Sequence, residues 1–490
     1  MTSTGTDRGP RAATTATIAL IVVSGLLRII AARSVGLGLG EAYYFAAAKH
    51  LSLSYFDQPP AAAFLAWLSL RLAGTVSDFV LRAPFVLLFA GTTWLMYLTG
   101  RRLFGPWAGF LAALLLNVTP VFALSTGIFF QPEGPLMFFW LATLYFLAPV
   151  LLGDATGGAA RRDWLAAGAM LGLALLSKYT AVFLGIGAVI WLLLRRDRRE
   201  WLRRPEPYLA VAVALLCFAP VLVWNAQHHW ISFRWQGDRG TVWHGIHLDW
   251  LWHNVSGQIL EIFPWIWILL VVEPFRAWRG PVGDHAARRM LLCFALPPIL
   301  AFTAVAAYAN IGNHFHWGTP GYLTLLLGLG ATFERAFRRA RAVPALVIGT
   351  IVAASLAGMV LVNVQAVTGR FSSGFGAVSR WLSAGNDATI ELIDYDALDS
   401  AFRERGLLDR PGLFVFSDRW YVGGKVDYAL RGRLPFLLLN RSDPREYAFF
   451  DSPARWVGRE GILVSRRGEL SQVAADYAGY CSGLDSLGSV

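Results

Sequence analysis

The chain has 490 residues, of which 56% are hydrophobic, 15% charged and 14% aromatic, and it carries a net charge of +11. A water-soluble protein carries about 25% charged residues, so the composition excludes an ordinary soluble enzyme. The basic excess is mostly arginine set between apolar runs, not interleaved with aromatics along a groove, which excludes a nucleic-acid binder.

Apolar runs long enough to span a bilayer, which takes roughly 20 residues as helix, recur along the chain. Arg8 and Arg11 precede the first of them without a small-x-small cleavage site, so it reads as a retained helix, not a removed signal. Spans are expected near 13–33, 83–100, 107–124, 135–152, 164–177, 179–194, 208–224, 255–273, 289–309, 317–333 and 343–366, about eleven in all. The connecting loops fall into two sets. One holds Arg101 and Arg102, Arg161 and Arg162, the block "RRDRREWLRR" at 195–204, Arg276, Arg279, Arg288 and Arg289, and Arg335, Arg338, Arg339 and Arg341. The alternate loops (34–82, 125–134, the link 177–179, 225–254 and 310–316) hold few cations. Loops rich in Lys and Arg stay in the cytoplasm. This puts the N-terminus in the cytoplasm and the first loop, 34–82, outside. Residues 367–490 change character. The short apolar runs "GLFVFS" (412–417), "LPFLLLN" (434–440) and "GILVS" (461–465) read as strands, with a helix between the first two. The expected fold is an α-helical polytopic membrane protein over 1–366 with a small extracytoplasmic α/β domain over 367–490. Cys217, Cys293 and Cys481 show neither metal-ligand spacing nor a disulfide framework.

The chemically capable residues collect on the arginine-poor side. The first loop, "GEAYYFAAAKHLSLSYFDQPP" (40–60), holds Glu41, Tyr43, Tyr44, Asp57 and Gln58. "FFQPEGPL" holds Glu133 between prolines, and Lys178 lies inside the apolar "LLSKYTAVF". "PVLVWNAQHHWISFRWQ" supplies Asn225, His228, His229, Arg234 and Gln236, and "NIGNHFHWGTP" supplies His314 and His316. Singly, each has a plain reading: Glu41 as a helix cap, Asp57 as a turn starter, Glu133 as a helix start, Lys178 reaching for the interface. Jointly they suit one task. Cations hold a lipid phosphate, a carboxylate takes a proton from an acceptor hydroxyl, and aromatics flank sugar rings.

These stretches, with "LGLALLSKYTAVFL" and "HWGTPGYL", resemble the bacterial membrane glycosyltransferases of the protein mannosyltransferase clan, glycosyltransferase family 39 and its relatives. The relatives include the lipid A aminoarabinose transferases and the rhizobial galacturonosyltransferases. Order and spacing agree over roughly residues 15–330. The resemblance implies the GT-C fold, an inner-membrane location and a polyprenyl-phosphate sugar donor. It implies inverting transfer to a glycolipid such as lipid A, a glycan or a protein. It places a first-loop acid at the acceptor: Glu41, or Asp57 if Glu41 is displaced, with Glu133 positioning substrate. Lys178 and Arg234, helped by His228 and His229, are expected at the donor phosphate. Tyr43, Tyr44, Gln58, Asn225, Gln236, His314 and His316 are expected to line the substrate. This chain departs from the pattern at three points. Gly40 stands where the family usually has Asp, Glu133 where Asp is common, and Gln58 where Lys or His precedes the Pro-Pro pair. No motif requires a cofactor, and a divalent metal on the carboxylates is left open. Two other readings are a transporter or lipid flippase and a non-catalytic envelope-assembly subunit. The first would set its charges at mid-membrane instead of one face.

Overall fold

In the computed structural model the described residues are 8–279, 284–312, 314–374, 387–440, 442–466, 470–477 and 479–489. The helices in chain order are α1 (Arg8–Ser34), α2 (Leu39–Lys49), α3 (Ala61–Ala73), α4 (Asp78–Phe104), α5 (Pro106–Val118), α6 (Glu133–Leu152), α7 (Gly157–Ser177) and α8 (Val182–Leu194). Then follow α9 (Glu206–Gln227), α10 (Ile231–Thr241), α11 (Leu248–Ile262), α12 (Pro264–Arg279), α13 (His285–Ala306), α14 (Thr319–Arg339) and α15 (Ala342–Thr368).

Among the described residues six helices are long and apolar enough to cross a membrane: α1, α4, α6, α9, α13 and α15. The pair α11–α12 makes a seventh if it is one span bent by 108°. The expectation of about eleven spans is therefore corrected. α5 has 13 residues, about 20 Å of helix against a hydrocarbon core of roughly 30 Å. Lys178, in extended conformation, breaks the chain between α7 and the apolar stretch Tyr179–Leu194. α7 and α14 carry charge, at Arg161, Arg162 and Asp163 and at Glu334, Arg335, Arg338 and Arg339. The expected span 255–273 is broken at Phe263, whose φ is 73°, followed by Pro264. Local apolar content does not distinguish a helix facing lipid from one walled in by other helices. α5 and α14 are of the second kind. A Cβ added to Gly330 would lie 2.5 Å from the Ala108 carbonyl, so only glycine lets these two backbones meet.

Local signals set the ends of the key elements. Ser77 caps α4 by accepting from the Val80 N–H at 3.3 Å, and Asp78 follows in the first turn. Gly105, with φ 111°, ends α4, and Pro106 starts α5. α4 runs antiparallel to α1. Arg82 near its start donates to the Ala32 carbonyl at 3.0 Å, and Tyr97 near its end meets Thr14 at 2.7 Å.

The tail forms a parallel three-stranded sheet of order β2-β1-β3, with β1 Phe414–Ser417, β2 Phe436–Leu438 and β3 Gly461–Leu463. Each strand lies in one of the three apolar runs expected to be strands. The helix Trp420–Ala429 connects β1 to β2 and packs on α2. Gly424 permits the contact: a Cβ there would lie 2.6 Å from the Tyr43 nitrogen. Lys49 pairs with Asp427 at 2.7 Å, Lys425 donates to the Leu37 and Ile393 carbonyls, and Tyr428 bonds Asp78. The tail thus sits at the end of the bundle where α1 finishes, opposite the end where α1 begins.

Candidate active site

Glu41 and Arg82 are both buried and form a bidentate pair at 2.8 and 2.5 Å. Glu41 also accepts from the Gly38 and Phe130 backbone N–H groups at 2.8 and 2.9 Å. Arg82 spends its remaining donors on the Ala32, Val35 and Gly36 carbonyls. Each Glu41 oxygen therefore already has two donors. The pair fastens α2 to the end of α1, the start of α4 and the loop before α6. Glu41, the acid expected first from the sequence, is thus fully engaged by protein donors.

Asp57 lies in a loop folded back on itself, with the Tyr55 N–H donating to the Gln58 carbonyl at 3.3 Å. Its backbone is held by α10. Ser232 donates to the Tyr55 carbonyl at 3.1 Å and Gln236 to the Asp57 carbonyl at 2.7 Å. Arg239, one turn on from Gln236, completes that helix face. The Asp57 carboxylate is buried and lies 3.5 Å from Arg445 of the tail. Burial pushes its pKa up from the ordinary carboxylate value, and the Arg445 guanidinium pulls it back. Tyr44 stands within electrostatic reach of both Asp57 and Glu133, and burial raises its phenol well above its usual range.

Glu133 opens α6, where a carboxylate complements the helix N-terminus. It pairs with Lys178, held inward by the break after α7, and lies 3.3 Å from His316. Arg239 donates to His314 Nε2 at 3.0 Å, so the His314 proton is on Nδ1, which donates to the Ile311 carbonyl. Burial, with the Arg239 charge, pulls His314 down to about 3, so it stays neutral at physiological pH. Arg239 also lies over Trp235 and Trp317, 4.7 Å from each ring. A polar path therefore runs past three contacting groups: Arg445 with Asp57, Arg239 with His314, and His316 and Lys178 with Glu133.

Other expected residues lie off this path. Arg234 and His229 are exposed. His228 is stacked on Trp224, with ring centroids 4.0 Å apart, and its Nδ1–H donates to the Trp224 carbonyl at 2.7 Å. Asn225 is buried in the α9–α10 turn, accepting from the Ser232 N–H at 3.2 Å. Gln58 Oε1 is buried without a protein partner. Tyr43 supports the tail, its hydroxyl accepting from the Glu446 N–H at 3.2 Å. Arg239 and Arg445 were not singled out from the sequence. The α10 face Ser232–Gln236–Arg239 could have revealed the first, whereas no local signal marks the second. Among the described residues no three His, Cys, Asp or Glu side chains gather in a metal-binding arrangement.

Beside the polar path opens a groove of about 1070 Å³. Leu53, Phe64, Phe139, Leu176, Trp224 and Phe450 line it, an apolar wall built from the first loop, α3, α6, α7, α9 and the tail. Glu446, also on its wall, accepts from the backbone N–H of Phe56, next to Asp57. The groove is thus an apolar trough with Glu446 on its wall, reaching the first loop next to Asp57.

Residues 57–224 match the family described as dolichyl-phosphate-mannose-protein mannosyltransferase. The chain is 28% identical over 289 residues to the lipid A galacturonosyltransferase RgtD of Rhizobium johnstonii, covering 58% of each chain. It spans 58% of that relative's length. Among solved structures it is similar to ArnT from Cupriavidus metallidurans in the apo state, with a TM-score of 0.66, 16% identity and 96% of both chains covered. The undecaprenyl phosphate-bound form of that protein gives 0.64, 17% and 95% of both chains. An oligosaccharyltransferase from Archaeoglobus fulgidus gives 0.51 at 13% identity, over 87% of this chain and 65% of the other. The chain therefore shares the GT-C fold of these structures.

Proposed function

We propose that the chain transfers a sugar, with inversion, from a polyprenyl-phosphate donor to an acceptor hydroxyl on a glycolipid, glycan or protein. The reading is carried by one observation. The chain shares its fold end to end with a structure solved with undecaprenyl phosphate, and an apolar groove opens against the first loop, which carries Asp57. The groove suits an isoprenoid tail, and Lys178 and Arg239 suit the phosphate at its head. The acceptor oxygen attacks the anomeric carbon, forming a C–O bond as the bond from that carbon to the phosphate oxygen breaks. The electron pair leaves with the polyprenyl phosphate, where Lys178 and Arg239 stabilise it. The acceptor proton passes to Asp57. Glu133 and His316 keep Lys178 in place, and Tyr44 lies between the two ends of the site.

Arg101 and Arg102 lie at the end of α4 that packs on the start of α1. The 195–204, 276–289 and 335–341 clusters are the other large arginine groups of the same loop set. Arginine enrichment favours the cytoplasm for that end, which puts Asp57 and the tail outside. The test is binding of undecaprenyl phosphate to the purified chain in nanodiscs. Lys178→Met and Arg239→Gln are each expected to weaken it by roughly tenfold or more, since each removes a charge-assisted hydrogen bond of about 1.5–3 kcal/mol. Unchanged affinity in both would reject this assignment.

A further inference from the structure

Arg445 comes from the tail, 388 residues after Asp57, yet it is a close charged neighbour of that carboxylate. Its setting is built for aim. Arg445 Nε donates to Asp443 at 2.9 Å, and its guanidinium sits 4.6 Å from the Trp420 ring and 5.1 Å from the Trp235 ring. Its φ of 50° is left-handed backbone, which a non-glycine residue adopts at a cost of about 1 kcal/mol or more. Strain of this kind persists where the surroundings over-determine a side chain's position. Here they do: the Asp443 carboxylate and the Trp420 and Trp235 rings, the first indole carried by the helix docked on α2, converge on one guanidinium.

We propose that Arg445 is a positioning residue through which the tail takes part in the reaction: it keeps Asp57 ionised and aimed at the acceptor. This rests on Asp57 being the proton acceptor. Asp57 is almost fully buried, and burial favours the neutral acid, which cannot take a proton. Six groups face it. Tyr43 and Tyr44 come from α2, Arg239 from α10, Tyr179 from the break before α8, and Arg445 and Glu446 from the tail. Of the two cations, Arg239 is committed to His314 and two indoles, whereas Arg445 lies at 3.5 Å from the carboxylate. Glu446 opposes ionisation by like charge. Removing Arg445 therefore takes away the largest influence that opposes burial, leaving the Tyr43 hydrogen bond and Arg239 against it.

The test is an infrared titration of the full chain in nanodiscs, with the Asp57 carboxyl band identified by its loss in Asp57→Asn. Relative to wild type, Arg445→Gln is expected to move the Asp57 midpoint to higher pH by about one unit or more, the size of an adjacent-arginine effect. Arg445→Lys reverses most of that shift, and Asp443→Asn, at a half-buried site, gives a smaller shift in the same direction. Because the base form is the active one, the acid limb of any transfer rate moves to higher pH with the midpoint. Unchanged midpoints in Arg445→Gln and Asp443→Asn would overturn the proposal. The titration uses no donor, so its failure is distinct from failure of the transferase reading, which shows as wild-type protein that does not bind undecaprenyl phosphate.

Discussion

Glu41 and Asp57 are acids sixteen positions apart in one loop, and the structure gives them opposite circumstances. Glu41 has two donors on each oxygen, whereas Asp57 has a single close arginine and a groove beside it. Breaking a buried pair strands the remaining charge at a cost of about 3–5 kcal/mol. Glu41→Gln is therefore expected to lower thermal stability in detergent sharply, while Asp57→Asn leaves the melting temperature near wild type and removes transfer. Equal melting temperatures for Glu41→Gln and wild type would show that the pair does not fasten the loop. The sequence marked both acids as candidates and put Glu41 first. The difference lies in Arg82, whose partner is 41 residues away, and in Arg445, which is farther still. Gly40 is a second residue-scale matter. A Cβ added there meets no atom within 4 Å, so Gly40→Asp, the residue usual in the resembling family, fits without strain. That variant is expected to fold as wild type does and to change transfer rate, read by melting temperature and turnover together.

At the scale of elements, backbone breaks do the positioning. The extended residue between α7 and the next turn directs Lys178 at Glu133 instead of at lipid headgroups. The α9–α10 turn, with His229 and Trp230 at positive φ, points one face of α10 at the first loop. That face carries Arg239, and Arg234 projects to the surface. Arg234→Gln is expected to leave undecaprenyl phosphate binding within about twofold of wild type, where Arg239→Gln weakens it roughly tenfold. The reverse order would restore the assignment of Arg234 made from sequence. The apolar period and the motif blocks made these elements legible. Which of two arginines on one helix turns inward was not, because α10 is polar on several sides and its orientation is set by hydrogen bonds from Ser232 and Gln236 to another loop. Span counting failed for a related reason. α5 and α14 are apolar because neighbouring helices surround them, which composition reads as lipid exposure.

On the scale of the whole molecule, the parallel sheet of the tail was legible from three short apolar runs, but its place was not. Its helix closes on α2 through Gly424, Lys49 and Asp427, residues with no mark in the sequence beyond their chemistry. The result is a molecule with arginine loops at one end and a carboxylate, two cations and an apolar groove at the other. Such an arrangement differs from a transporter's, which sets its charged site near the bilayer midplane. It is the arrangement that the proposed transfer from a lipid-borne donor requires. The most direct measurement is mass spectrometry of envelope glycolipids and glycans from a strain lacking the chain, complemented with wild type or with Asp57→Asn. The expected result is one sugar lost on deletion, restored by wild type and not restored by Asp57→Asn at equal expression. An unchanged envelope on deletion, or full restoration by Asp57→Asn, would contradict the account.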